Sequence, residues 1–269
     1  MSTNSDWRGT LADIERARTR LGRARSGLYS IEGTRAHERA LRAGLPVESA
    51  LVASTYAEDR RERTERLLSE LDASGCRIHI VPDGILAELT EGRDIGAIVG
   101  LIRTPRAADL GKVLAAASVR PAVILAAVEV EDPGNVGAMI RTALAAGADA
   151  FAAVGISDPY HPKAVRTSMG ALFKLPIVVF EKLDRLLTEL RAHRVQCVGA
   201  VSRGGRPLHD GGFSDDSVAV VLGSEAFGLA MGERSQFDHL VSVPMSSEVD
   251  SFSVNAAAAI LLYEIRRPR

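Results

Sequence analysis

Apolar and polar residues alternate along this chain in two successive rounds, each mixing strand and helix periodicities. In the first round a charged helix is predicted over 8–25, a strand at Leu28–Glu32, a helix to Ala43 and a strand at Val47–Ala53. A charged helix over 60–74, a strand at Arg77–Val81, a short helix from Asp83 and a strand at Ala97–Ile102 complete it. This mixture predicts a small α/β layer domain over residues 1–104. Thr104-Pro105 breaks the last strand, and residues 105–121 read as a linker holding one short helix.

The second round, residues 122–269, opens on Ala122–Val128, a run apolar enough for a strand buried on both faces. Further strands are predicted at 150–154, 176–180, 195–200, 217–222 and 239–243. Helices are predicted at 135–147, 161–171, 183–193, 226–236 and 253–266. That order implies a mostly parallel sheet flanked by helices, whose ligands bind beyond the carboxyl ends of the strands.

Three loops at those ends are unusual. The first, Glu131-Asp132-Pro133-Gly134-Asn135-Val136-Gly137, combines a tight turn with a candidate helix cap, Asn135. Arg141 follows it, interrupting an otherwise small and apolar helix, where a guanidinium calls for a carboxylate or phosphate partner. The second, Gly223-Ser224-Glu225-Ala226-Phe227-Gly228, places Glu225 where the 226–236 helix is expected to begin. The third runs Val243-Pro244-Met245-Ser246-Ser247 and then Ser251-Phe252-Ser253-Val254-Asn255 into an alanine-rich helix. Each alone fits an ordinary turn.

Together, in this order and spacing, they resemble the three signature motifs of the SpoU-type RNA 2′-O-ribose methyltransferases, a branch of the SPOUT superfamily. Asn135 and Arg141 look like the first motif's asparagine and arginine. Gly223, Ser224, Glu225 and Gly228 look like the second, and Pro244-Met245 with Ser251–Asn255 like the third. Asp158–Lys163 leading to Arg166–Gly170 is also similar, and the resemblance covers 122–269. It implies a C-terminal domain threaded into a trefoil knot, an exception to the general absence of knots. It further implies a homodimer, S-adenosylmethionine as cofactor, and an RNA substrate, ribosomal ahead of transfer RNA. Residues 1–104 resemble, more loosely, the family's α/β RNA-binding extension, through Ile31-Glu32-Gly33 and the strand–helix order.

By the same resemblance, Ala200, Val201, Gly223, Val243, Met245 and Phe252 match cofactor-binding positions. Asn135, Arg141, Glu225, Ser253 and Asn255 match catalytic ones, and Arg166 is a candidate for gripping phosphate. Arg141 is expected to stabilise a developing alkoxide, since a guanidinium is a poor base. Ser253 stands where the third motif usually carries asparagine. Asn255 could replace it only if the backbone there is not helical, because two residues turn a helix by roughly 200°.

Composition narrows the picture further. A net charge of −1 disfavours a protein that coats nucleic acid, yet residues 1–45 hold a basic cluster of Arg16, Arg18, Arg20, Arg23 and Arg25. That cluster is either a solvated helix face or an arm contacting phosphates. No run approaches the roughly 18 apolar residues of a membrane span. Cys76 and Cys197 stand alone, so no metal or disulfide framework is expected, and the N-terminus lacks a secretory pattern. A cytoplasmic protein is expected. The competing function is a noncatalytic RNA-binding or ribosome-assembly member of the fold, with base methylation behind it.

Overall fold

A computed structural model describes residues 7–93, 97–117, 120–208 and 216–266. The chain divides into two compact units, one of residues 1–105 with 160–173, the other of 106–159 with 174–269.

The first unit carries a four-stranded sheet in the order β1-β4-β2-β3, from β1 (Leu28–Glu32), β2 (Val47–Ala53), β3 (Arg77–Val81) and β4 (Ile98–Arg103). β4 runs antiparallel to β1 and β2, while β2 and β3 are parallel. The charged helix expected over 8–25 is two helices, α1 (Trp7–Ala17) and α2 (Arg20–Ser26). Thr19 breaks it by capping α2, its hydroxyl accepting from the Gly22 amide at 3.0 Å. Only glycine fits at 22, since a Cβ there would lie 1.9 Å from the Arg16 carbonyl oxygen. Ile14 and Ala17 of α1 pack with Leu51, Val81 and Leu101 in one core. The remaining helices are α3 (Thr34–Arg42), α4 (Ser54–Ala57), α5 (Glu62–Ala73) and α6 (Asp83–Leu89).

Residues 160–173 leave the second unit's sheet and belong to the first. Their helix, α9 (Pro162–Thr167), packs on β1. The Tyr160 and Tyr29 rings lie 5.3 Å apart, and Arg166 donates to the almost fully buried Glu32 carboxylate at 2.9 Å.

The second unit begins earlier than the sequence suggests. Residues 106–117, expected as linker, belong to it, and Leu110 of α7 (Leu110–Ala116) is wholly buried in its core. The linker's residues 118–119 lie outside those described. Its strands are β5 (Val123–Val128), β6 (Ala150–Val154), β7 (Ile177–Phe180), β8 (Gln196–Ala200), β9 (Arg206–Pro207), β10 (Val218–Leu222) and β11 (His239–Ser242). They form one sheet in the order β7-β6-β5-β10-β8-β11-β9, every pairing parallel. β5, β6 and β10 are buried along their whole length, as their unbroken apolar runs require. α7 and α10 (Leu183–Ala192) cover one face, α10 through Leu183, Leu186, Leu187 and Leu190 at helical spacing. α8 (Pro133–Ala145) and α11 (Val254–Arg266) pack against each other and against β5 and β10 respectively.

No α-helix forms over the expected 226–236. A turn closed by a Ser224–Gly228 bridge stands there, followed by a 3-10 stretch at Met231–Gln236. Gly228 adopts a φ of 63°, and a Cβ on Gly223 would lie 2.1 Å from the Gly228 carbonyl carbon. The two glycines fold the chain back on itself where a helix would have to start.

Candidate active site

Chain order explains where the site lies. From β5 the chain adds β6 and β7 on one side, crosses to lay down β8, and then sets β10 between β5 and β8. β11 follows on the far side of β8. The carboxyl ends of β8, β10 and β11 are therefore neighbours, and the loops leaving them enclose a cavity of about 410 Å3. Ala200, Val201, Gly223, Val243, Met245 and Phe252 all line it. So do Asn135, Glu225 and Ser253.

Glu225 joins the first two loops. Its carboxylate accepts from the Asn135 side-chain amide at 2.9 Å and from the backbone amides of Glu131 at 3.1 Å and Asp132 at 3.3 Å. Partial burial pushes its pKa up, but these hydrogen bonds prevail and hold it below the usual carboxylate value. Glu225 is thus an acceptor in a turn and does not stand at the start of a helix, the place expected for it. Asn135 is not the helix cap either. Asp132 caps α8, accepting from the Gly134 amide at 2.7 Å, with Pro133 in the first helical position. That leaves the Asn135 side chain available to Glu225.

In the third loop, Ser253 precedes α11 and its hydroxyl accepts from the Ala256 amide at 3.3 Å. Asn255 lies inside the helix and does not line the cavity. The Thr142 hydroxyl donates to the Asn255 carboxamide oxygen at 2.8 Å, fastening α11 to α8. The non-helical backbone that would bring Asn255 to the position of Ser253 is absent.

Arg141 stands on the exposed side of α8, outside the cavity lining, and has no hydrogen-bond or ion-pair partner among the described residues. The partner expected for it is not found among the described residues. Arg166 differs, since its guanidinium is engaged by Glu32 within the first unit.

The basic cluster divides. Arg23 is 5% exposed and donates to the Ala17 carbonyl at 2.7 Å, which removes it from any RNA-contacting surface. Arg16 pairs with Asp13, and Arg18 donates to the Leu89 carbonyl at 2.6 Å. Arg20 and Arg25 are exposed, and Arg25 has no partner among the described residues.

The sequence pattern does not single out Ser202, Arg234, Asp250 or Leu261, which also line the cavity. Arg234 was hidden inside the expected 226–236 helix. Leu261 faces the cavity from the second turn of α11, and no local signal marks it.

The family model of the SpoU rRNA Methylase family matches residues 122–263. Over 255 residues the chain is 29% identical to the 23S rRNA (guanosine(2553)-2′-O)-methyltransferase RlmP of Bacillus subtilis, covering 94% of each. It is 32% identical over 219 residues to the 23S rRNA (guanosine-2′-O-)-methyltransferase RlmB of Bordetella pertussis, covering 79% of this chain and 87% of that one. The crystal structure of the SpoU methyltransferase AviRb from Streptomyces viridochromogenes, in complex with AdoMet, matches at a TM-score of 0.85 and 25% identity, covering 97% of both chains.

Proposed function

The chain belongs to the SpoU rRNA methylase family, and on that premise we propose that it methylates a ribose 2′-hydroxyl of ribosomal RNA, using S-adenosylmethionine. The observation that carries this reading is the single cavity in which all three motif loops meet.

The cavity suits the cofactor. Its volume lies within the roughly 300–1,000 Å3 of small-molecule sites. Val201, Val254 and Leu261 offer an apolar wall for an adenine ring, and the strand-end backbone offers hydrogen bonds beside it. Glu225 and Asp250 bring negative charge toward a sulfonium and an ammonium, and Arg234 can meet a carboxylate. Ala200, Val201, Gly223, Val243, Met245 and Phe252 would hold it. When bound, S-adenosylmethionine supplies an electrophilic methyl group for in-line displacement.

The chain's own groups must then position the hydroxyl and stabilise its negative charge as the proton leaves. Asn135 and Glu225 fix the first motif against the second through their hydrogen bond. Arg141 stabilises the developing alkoxide and grips the adjacent phosphate. Since it stands apart from its own chain's cavity, it serves the cavity of a second copy. A homodimer is accordingly part of the proposal, supported by α8 and α11, where Tyr263 is 70% exposed on a helix rich in alanine, leucine and isoleucine. Sedimentation at falling concentration checks it, with a fully active monomer as the overturning result.

The trefoil knot is also proposed, supported by β10 entering between strands already laid down. The first unit is proposed to contact RNA through the exposed Arg20 and Arg25, and the protein to act in the cytoplasm where ribosomes are made. Arg166 reaches phosphate only if it releases Glu32.

The test is transfer of a labelled methyl group to in-vitro-transcribed 23S rRNA, followed by nucleoside analysis. A 2′-O-methylnucleoside is expected. Label on a base, or cofactor binding with no transfer to any ribosomal RNA, would overturn the reading.

A further inference from the structure

Phe227 lines the cavity, yet its side chain is 84% exposed. Single exposed apolar side chains are common on protein surfaces, but this one is aromatic in a chain with only 4% aromatics, and it stands at the edge of the cavity. Met231, also exposed, does not line the cavity. Nor does Phe227 sit on a loose loop. Its amide donates to the Ser224 hydroxyl at 3.3 Å, and the Gly228 amide donates to the Ser224 carbonyl at 2.9 Å. Two residues earlier, Glu225 is tied to Asn135 and to the backbone of the first motif. The ring is therefore presented at the mouth from a turn whose position relative to the site is fixed.

We propose that Phe227 is a stacking platform for the base of the target nucleotide. The inference rests on the methyl-transfer reading above. A ribose hydroxyl delivered into the cavity carries its base only a few ångströms away, so the base must lie over the mouth. Taking that nucleotide out of its helix costs stacking with its neighbours, and an aromatic face restores it. Stacking is tolerant of base identity, so Phe227 supplies affinity and orientation and leaves base choice to other groups.

Two measurements on the full-length protein test this. In the first, Phe227→Ala, Phe227→Leu and Phe227→Tyr are compared with wild type on 23S rRNA. Stacking predicts that Phe227→Ala raises the KM for RNA roughly 10–100-fold. Phe227→Leu stays impaired despite its bulk, Phe227→Tyr is restored to within about threefold, and the Kd for S-adenosylmethionine and the sedimentation coefficient do not move. Loss of cofactor affinity in Phe227→Ala would make the ring a cofactor lid, and a shift toward monomer would make it an interface residue; either overturns the proposal.

The second measurement does not depend on turnover. The chain's one tryptophan, Trp7, is replaced by phenylalanine and Phe227→Trp is added, leaving a single indole at the cavity mouth. With S-adenosylhomocysteine present, short single-stranded oligoadenylate should quench its fluorescence saturably, and an abasic oligomer of equal length should not. Equal quenching by both, or by neither, overturns the proposal. A wild type that moves no methyl group to ribosomal RNA would instead remove the functional reading, and the fluorescence result would still decide whether a base stacks at this position.

Discussion

The arginines of α1 and α2 and the lone arginine of α8 sit on helices of opposite character, and they are used in opposite ways. The stretch from Arg16 to Arg25, which spans the end of α1, the turn after it and α2, is densely basic, and three of its arginines are held by their own fold through Asp13, the Leu89 carbonyl and the Ala17 carbonyl. α8 is small and apolar, and its single arginine, Arg141, has no partner among the described residues. Charge density is therefore a poor guide to which cations are available. A guanidinium presents five donors, and where carboxylates and carbonyls are near it becomes an internal brace. One isolated on an apolar helix, with no such acceptor near it among the described residues, keeps its donors open.

The sharpest way to break this contrast is Arg141→Ala. Removing a group aimed at transition-state charge should lower turnover roughly 10²–10³-fold. The Kd for S-adenosylmethionine and the melting temperature should stay unchanged, because the residue lines neither its own chain's cavity nor a core and is assigned to the developing alkoxide and not to the cofactor. Lost cofactor binding in a folded protein would put Arg141 in a different role.

Arg23→Ala probes the other side. It leaves the Ala17 carbonyl without its buried donor, which should cost roughly 1–3 kcal/mol. A lower urea midpoint at constant m-value would report that loss, with turnover per folded molecule unaltered. RNA affinity that fell while stability held would return Arg23 to the binding surface. Asn255→Ala tests whether the third motif works through the cavity or through helix packing. Loss of its hydrogen bond to Thr142 should cost about 0.5–1.5 kcal/mol, with single-turnover methylation near wild type. A collapse in the methylation rate would make Asn255 part of the chemistry.

The smallest effects separate Arg16 from Arg25. Arg16→Ala removes an exposed pair and should change stability by no more than about 0.5 kcal/mol. Arg25→Ala should reduce the slope of log affinity for RNA against log salt by about one unit, as expected for one phosphate contact. Equal salt slopes in the two variants would erase the distinction drawn between them.

The sheet of the second unit was legible because strands buried on both faces leave unbroken apolar runs, as in β5 and β10. The cavity residues were legible through the motifs, where several uncommon residues recur at fixed spacing. Other features were not, and three of them have a clear physical reason. Helical composition over 226–236 was overridden by the backbone fold-back between Gly223 and Gly228. The cap of α8 went to Asp132 because Pro133 sets the first helical position, which puts the cap three residues before Asn135. The arginine cluster was ambiguous because pairing depends on which acceptors tertiary packing brings near, and Leu89 lies far from Arg18 in sequence.

The placement of residues 160–173 bears on how the molecule is made. The first unit draws its last helix from a stretch that follows β6 in the chain, so it cannot be completed when residue 105 leaves the ribosome. At roughly 5–20 residues per second, translation needs several more seconds to deliver that stretch. Until then Glu32 lacks its Arg166 partner and Tyr29 lacks Tyr160. The N-terminal piece must wait, incomplete, for a fragment encoded in the middle of its neighbour. Cutting the gene after codon 104 would separate Glu32 and Tyr29 from those partners permanently.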